Sequence, residues 1–85
     1  MGSMTRPQIY SDISNERERQ IEKWGTQHLS ISQWLTILGE EYGEACKEGI
    51  EYELLLSDDR EDSFTRFGEE LIHVAAVAVQ ILEHL

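Results

Sequence analysis

The run GEEYGEACKEGIE at 39–51 sets five glutamates into thirteen positions, within a stretch whose apolar residues recur at helical spacing. At about 100° per residue, Glu41, Glu44 and Glu48 project along one stripe, while Glu40 and Glu51 lie farther round toward solvent. That stripe borders the apolar one and does not oppose it. A second run, FGEELIHVAA at 67–76, places Glu70 and His73 on one flank of its helix, next to Val77. Each helix thus offers an i, i+3 pair at the edge of its buried face. Antiparallel packing would let Glu41 and Glu44 meet Glu70 and His73.

Carboxylates gathered at the rim of a low-dielectric core repel one another, and a cation relieves the repulsion. Hard oxygen donors of this kind suit Mg2+ or Mn2+, which keep some waters and share the rest of their coordination with substrate phosphates. A single Glu-x-x-Glu pair on a helix is usually no more than a solvated face. Two pairs on matched flanks are a stronger signal, because facing helices are an established way to build metal sites in bundles.

Three helices have to position these groups. The first is expected from about Asp12 to Trp24, with Ser11 or Asp12 as N-cap and Gly25 as the stop. Its apolar set is thin (Ile13, Ile21 and Trp24), which makes it peripheral. The one proline, Pro7, lies ahead of the periodic sequence. A second helix starts near Ser30 or Ser32. Leu35, Leu38, Tyr42, Ala45 and Gly49 form its stripe at steps of three and four. Gly39 and Gly43 each cost about 1 kcal/mol against Ala inside a helix, so either another backbone or a ligand comes close there, or the helix kinks. Over 51–63, Leu54, Leu55 and Leu56 extend this helix or dock a turn, and Ser57–Asp59 is turn chemistry.

The third helix is expected from about Arg60 to His84. Phe64, Phe67, Leu71, Val74, Ala78, Ile81 and Leu85 follow a 3-4 spacing, and Ile72, Ala75, Ala76, Val77, Val79 and Leu82 make its back apolar too. A helix apolar on nearly all sides requires burial on nearly all sides, and two other helices of a short chain cannot enclose it. The expectation is an all-α helical bundle completed by homo-oligomerisation, as a homodimer or homotetramer, into a four-helix-type arrangement. The alternative is a monomer with a large exposed apolar patch.

Bulk properties narrow the function classes. The 85 residues carry 7 basic and 17 acidic side chains, a net charge of −10, so a general nucleic-acid-binding surface is not expected. Residues 1–3, MGS, read as a remnant of an expression tag, leaving 4–85 as a single domain. The lone Cys46 forms no internal disulfide and favours a reducing compartment. No stretch reads as a secretory signal, and the apolar run at 71–82 is too short and interrupted to span a bilayer. A cytoplasmic protein without a membrane partner is expected.

Residues 38–45, LGEEYGEA, followed by FGEELIHVAAVAV at 67–79, resemble the bipartite motif of the MazG-like, all-α nucleoside triphosphate pyrophosphohydrolases. That motif reads Glu-Glu-x-x-Glu, then Glu-x-x-Asp. NERERQIEKWGTQH at 15–28 is also similar to the first helix and loop of small phage and bacterial MazG-like proteins. The resemblance implies hydrolysis of an NTP or dNTP to the monophosphate and pyrophosphate, with Mg2+ or Mn2+ as cofactor and a water attacking the α-phosphorus. It makes Glu41, Glu44 and Glu70 metal ligands and Glu40 a second, outer carboxylate or a water-orienting base alongside Glu41. It also sets Lys23, Trp24, Gln27 and His28 at the nucleotide, Trp24 stacking on a base and Lys23 near a phosphate.

The departure is His73, where the pattern has Asp. Imidazole is a poorer ligand for Mg2+ than carboxylate and supplies one negative charge fewer. Three outcomes are open: a site shifted toward Mn2+ or another transition metal, a weaker Mg2+ site on three glutamates, or a catalytically inactive relative that binds a nucleotide or a protein. His73 read simply as a hydrogen-bonded flank residue is a fourth. Elsewhere, Trp34 reads as core or interface, Cys46 as a small buried residue, Arg17 and Arg19 as surface ion-pair partners, and His84 as part of a frayed end.

Overall fold

In a computed structural model of the chain, residues 4–54 and 60–85 are described. They form three α-helices: α1 (Arg6–Trp24), α2 (Ile31–Leu54) and α3 (Arg60–Glu83). At 1.5 Å per residue a 24-residue helix is about 36 Å long, which accounts for most of the 43 Å long axis. The expected turn at Ser57–Asp59, together with Leu55 and Leu56, lies outside the described residues. Among the described residues no helix is long and apolar enough to cross a membrane.

Helix α1 begins six residues before the position expected from periodicity. Thr5 is its N-cap, with its hydroxyl accepting from the Gln8 N–H at 3.4 Å, and proline occupies the first turn. Proline is favoured there because its missing N–H would have no helical partner in any case. The helix ends at Gly25, whose φ of +67° favours a residue without Cβ and whose N–H donates to the Ile21 carbonyl. Helix α2 opens with a reciprocal cap: Ser30 Oγ accepts from the Gln33 N–H at 3.2 Å, and Gln33 Oε1 accepts from the Ser30 N–H at 2.9 Å.

The central element is α3, with α1 and α2 both packed on it. Helix α2 runs antiparallel to α3. Trp34 meets His84 at one end, and Glu48 pairs with Arg66 and Tyr52 with Phe64 at the other. The buried apolar side chains among the described residues are Trp34, Ala45, Ala76 and Val77, so apart from one tryptophan this core is built from small side chains. Gly49 is where α2 comes closest to a neighbour, since an added Cβ would meet the Phe67 ring at 3.2 Å. Gly39 and Gly43, where a close approach or a kink is the expectation, have open space above them.

Several expected stripes are shifted. On α2, Ala45 is buried but Leu35 and Tyr42 are 58% and 62% exposed. On α3 the buried face carries Ser63, Ala76, Val77 and Gln80, whereas Phe64, Leu71 and Leu85 of the expected stripe are exposed. A helix apolar all round gives no phase signal in its sequence, and packing against α1 and α2 fixes the phase instead. Arg17 is buried, not superficial, and pairs with Glu83 at 2.8 Å. His84 is not frayed: its Nδ1 lies 2.7 Å from the Gln80 carbonyl and its ring packs on Trp34. Cys46 is half-buried.

Candidate metal centre

Antiparallel packing of α2 on α3 brings Glu41 to Glu70 and His73. One oxygen of each carboxylate and one ring nitrogen lie within 4.8 Å of one another. His73 Nδ1 is 3.4 Å from Glu70 Oε2 and 3.7 Å from Glu41 Oε2. The other ring nitrogen, Nε2, faces Glu16 Oε1 of α1 at 3.8 Å. Three helices thus converge on one imidazole.

The two inward oxygens, Glu41 Oε2 and Glu70 Oε2, are buried and have no hydrogen-bond donor. A buried anionic oxygen without a donor is costly. Glu70 shows the strain: burial pushes its carboxyl above the ordinary glutamate value of 4.5, the charges of Glu44 and Glu41 push it further, and His73 works against them. Two orphaned carboxylate oxygens beside a ring nitrogen are a donor set that fits a small divalent cation, and the nitrogen tilts it toward Mn2+ relative to Mg2+. Glu16 is shifted the opposite way. Its hydrogen bond from Arg19 holds its carboxyl below the ordinary value despite burial.

The remaining expected residues divide into three groups. Glu44 is exposed and stands outside the converging trio, although its charge acts on Glu70. Glu40 is also exposed and outside the trio. Lys23, Trp24 and Gln27 line a cleft of about 340 Å³ that opens beside the centre. Its floor is His73, Val77 and Gln80 of α3, and α2 contributes Ile37 and Glu41. Lys23 Nζ sits 4.9 Å from the Trp24 ring centroid. His28 belongs elsewhere, its ring edge-on to His84 at 6.2 Å between centroids.

Sequence reasoning missed Glu16, Arg19 and Gln80 as cleft residues. Gln80 is 5% exposed and donates from Nε2 to Gln27 Oε1 at 3.3 Å. Glu16 and Arg19 are bound to each other through 2.6, 3.1 and 2.7 Å contacts, and their i, i+3 spacing on α1 was the signal that could have been followed. Together with His73 they also line a second hollow, about 280 Å³, toward Asp12, Asn15 and Glu69. Glu16, Arg19 and His73 therefore form the partition between the two hollows. No protein-family model, curated protein or solved structure compared with this chain matches it.

Proposed function

We propose that the chain is a divalent-metal-dependent nucleotide pyrophosphohydrolase of MazG-like type, converting an NTP or dNTP to the monophosphate and pyrophosphate. The observation that carries this reading is the pair of buried, donorless oxygens on Glu41 and Glu70, converging beside His73 at the end of the cleft. Glu41, Glu70 and His73 would hold the cation, with Glu44 near enough in charge to add to its attraction. When bound, the cation supplies charge neutralisation for a triphosphate and acidifies a coordinated water. A like-charged substrate then becomes acceptable to a chain at −10.

The chain's own residues orient the rest. Lys23 gives the cleft wall a positive charge, that of Arg19 being met by Glu16, and Trp24, Ile37 and Val77 offer apolar surface for a base. In the reaction the water oxygen bonds to the α-phosphorus as the bond to the bridging oxygen breaks, releasing pyrophosphate. Glu40, exposed beside Glu41, is the candidate to orient that water or take its proton. Purified protein with Mn2+ or Mg2+ should release pyrophosphate from at least one member of a broad NTP and dNTP panel, and Glu41→Gln should abolish the release. Silence across the panel from folded protein would end the enzymatic reading.

One observation favours a second reading. A charged His73 has a carboxylate within ion-pair distance of each ring nitrogen, so the ring can offset part of the cluster's negative charge without a cation. The chain would then be a nucleotide-binding or protein-interaction scaffold that takes up nucleotide without turnover.

Either reading is proposed for a homodimer or homotetramer. On α2, Ile31, Leu35, Tyr42 and Ile50 are exposed, and on α3 so are Phe64, Leu71, Val79 and Leu82. At about 100° per residue these sets lie on the side of the α2–α3 layer away from α1 and the cleft. Gly39, Gly43 and Gly68 lie among them with open space above, which suits close approach of a second pair of helices. An apolar face this continuous is uncommon on a monomer.

A further inference from the structure

Glu16 is a buried anion, 8% exposed, on the most polar of the three helices. Such a charge requires compensation on every side. On the solvent side Arg19 supplies it as a fork: Nε contacts both carboxylate oxygens and Nη2 contacts Oε2. A two-point clasp fixes the plane of the carboxylate as well as its place. On the inner side, Glu16 Oε1 faces Nε2 of His73. Among the described residues no donor from α2 or α3 other than His73 is paired with it.

The same imidazole turns its other nitrogen, Nδ1, to the orphaned oxygens of Glu41 and Glu70. A neutral imidazole that offers a lone pair at Nδ1 carries its proton at Nε2. In that tautomer the Nε2–H dipole points at the fixed negative charge of Glu16. At 3.8 Å the contact is longer than a direct hydrogen bond and acts through charge. We propose that Glu16, clasped by Arg19, is a positioning residue that holds His73 in the Nε2-protonated tautomer and so presents its Nδ1 lone pair to a divalent cation between Glu41 and Glu70. This inference rests on the metal-site reading above. It gives α1 a role in the centre although α1 contributes no ligand, and it explains how a histidine can serve where a carboxylate would need no such partner.

Mn2+ titrated calorimetrically into the full chain provides the test, using wild type, Glu16→Gln, His73→Gln and the double variant. Glu16→Gln keeps the side-chain shape and leaves Arg19 more than half exposed, where water solvates it. It should weaken Mn2+ binding roughly tenfold or more, as loss of a partner behind a metal-bound histidine does. In the His73→Gln background the same change should leave affinity nearly unaltered. Equal losses in both backgrounds would mean that Glu16 acts only as a nearby charge, and the positioning role would be overturned. Wild type that takes up no Mn2+ would remove the metal-site reading and this inference with it. In wild type loaded with diamagnetic Zn2+, the ring nitrogen resonances of His73 should show Nδ1 bound and Nε2 protonated. The reverse assignment overturns the inference even if Glu16→Gln does not fold.

Discussion

At the scale of single residues, Glu70 and Glu16 make opposite demands on pH. Glu70 titrates above 4.5 in the fold, chiefly because it is buried, so the native state holds that proton more tightly than the unfolded chain does. Without metal, its ionisation should therefore cost stability as pH rises from the ordinary glutamate range through the raised value, with the full cost present above it. Glu16 titrates below 4.5 because of Arg19, so its stabilisation is present above the unfolded value and fades as pH falls through the lowered one. Thermal melts of metal-free Glu70→Gln should accordingly lie above wild type near neutrality and converge with it below about pH 4. A variant less stable than wild type at neutral pH would show that Glu70 is already satisfied. The meeting of Glu41, Glu70 and His73 was legible only in part: the i, i+3 pair Glu70 and His73 of α3 does face α2, but of the expected α2 pair only Glu41 reaches it, and Glu44 stays exposed. The part of Glu16 was not, because its neighbour His73 is reached only through the way α1 seats on α3.

At the scale of elements, capping chemistry and breakers fixed the helix ends at Trp24, Gly25 and Ser30, all readable beforehand. The early start of α1 was also written locally, in Thr5 and Pro7, but no apolar period runs through 6–11 to draw attention to it. The phase of α3 was the unreadable part. Its periodic set at Phe64 and Leu71 looked like the core, whereas Ala76, Val77 and Gln80 are the residues enclosed by α1 and α2. If the outward set is an interface between copies, a charge placed on it should dissociate the assembly without disturbing the centre on the opposite side. Leu71→Arg, at a residue 46% exposed in the single chain, should sediment as a monomer where wild type sediments as a dimer or larger. A monomeric wild type would show instead that the face is simply solvated.

At the scale of the molecule, the small core and the Glu41–Glu70–His73 cluster are parts of one balance. Among the described residues the buried apolar side chains are few, while α2 and α3 press two donorless carboxylate oxygens together beside His73. A cation bound there would convert that repulsion into a link between the two helices, and ligands that bind only the folded state raise its stability by mass action. At a hundredfold excess over the dissociation constant the gain is about 2.7 kcal/mol. For a domain of this size that corresponds to a melting temperature higher by roughly 10 °C or more. The most direct measurement is therefore the melting temperature of the full chain with and without saturating Mn2+, beside the Glu41→Gln, Glu70→Gln double variant. The expected result is a rise of that order in wild type and none in the variant; an unmoved wild type, or an equal rise in both, would contradict a cation at Glu41, Glu70 and His73.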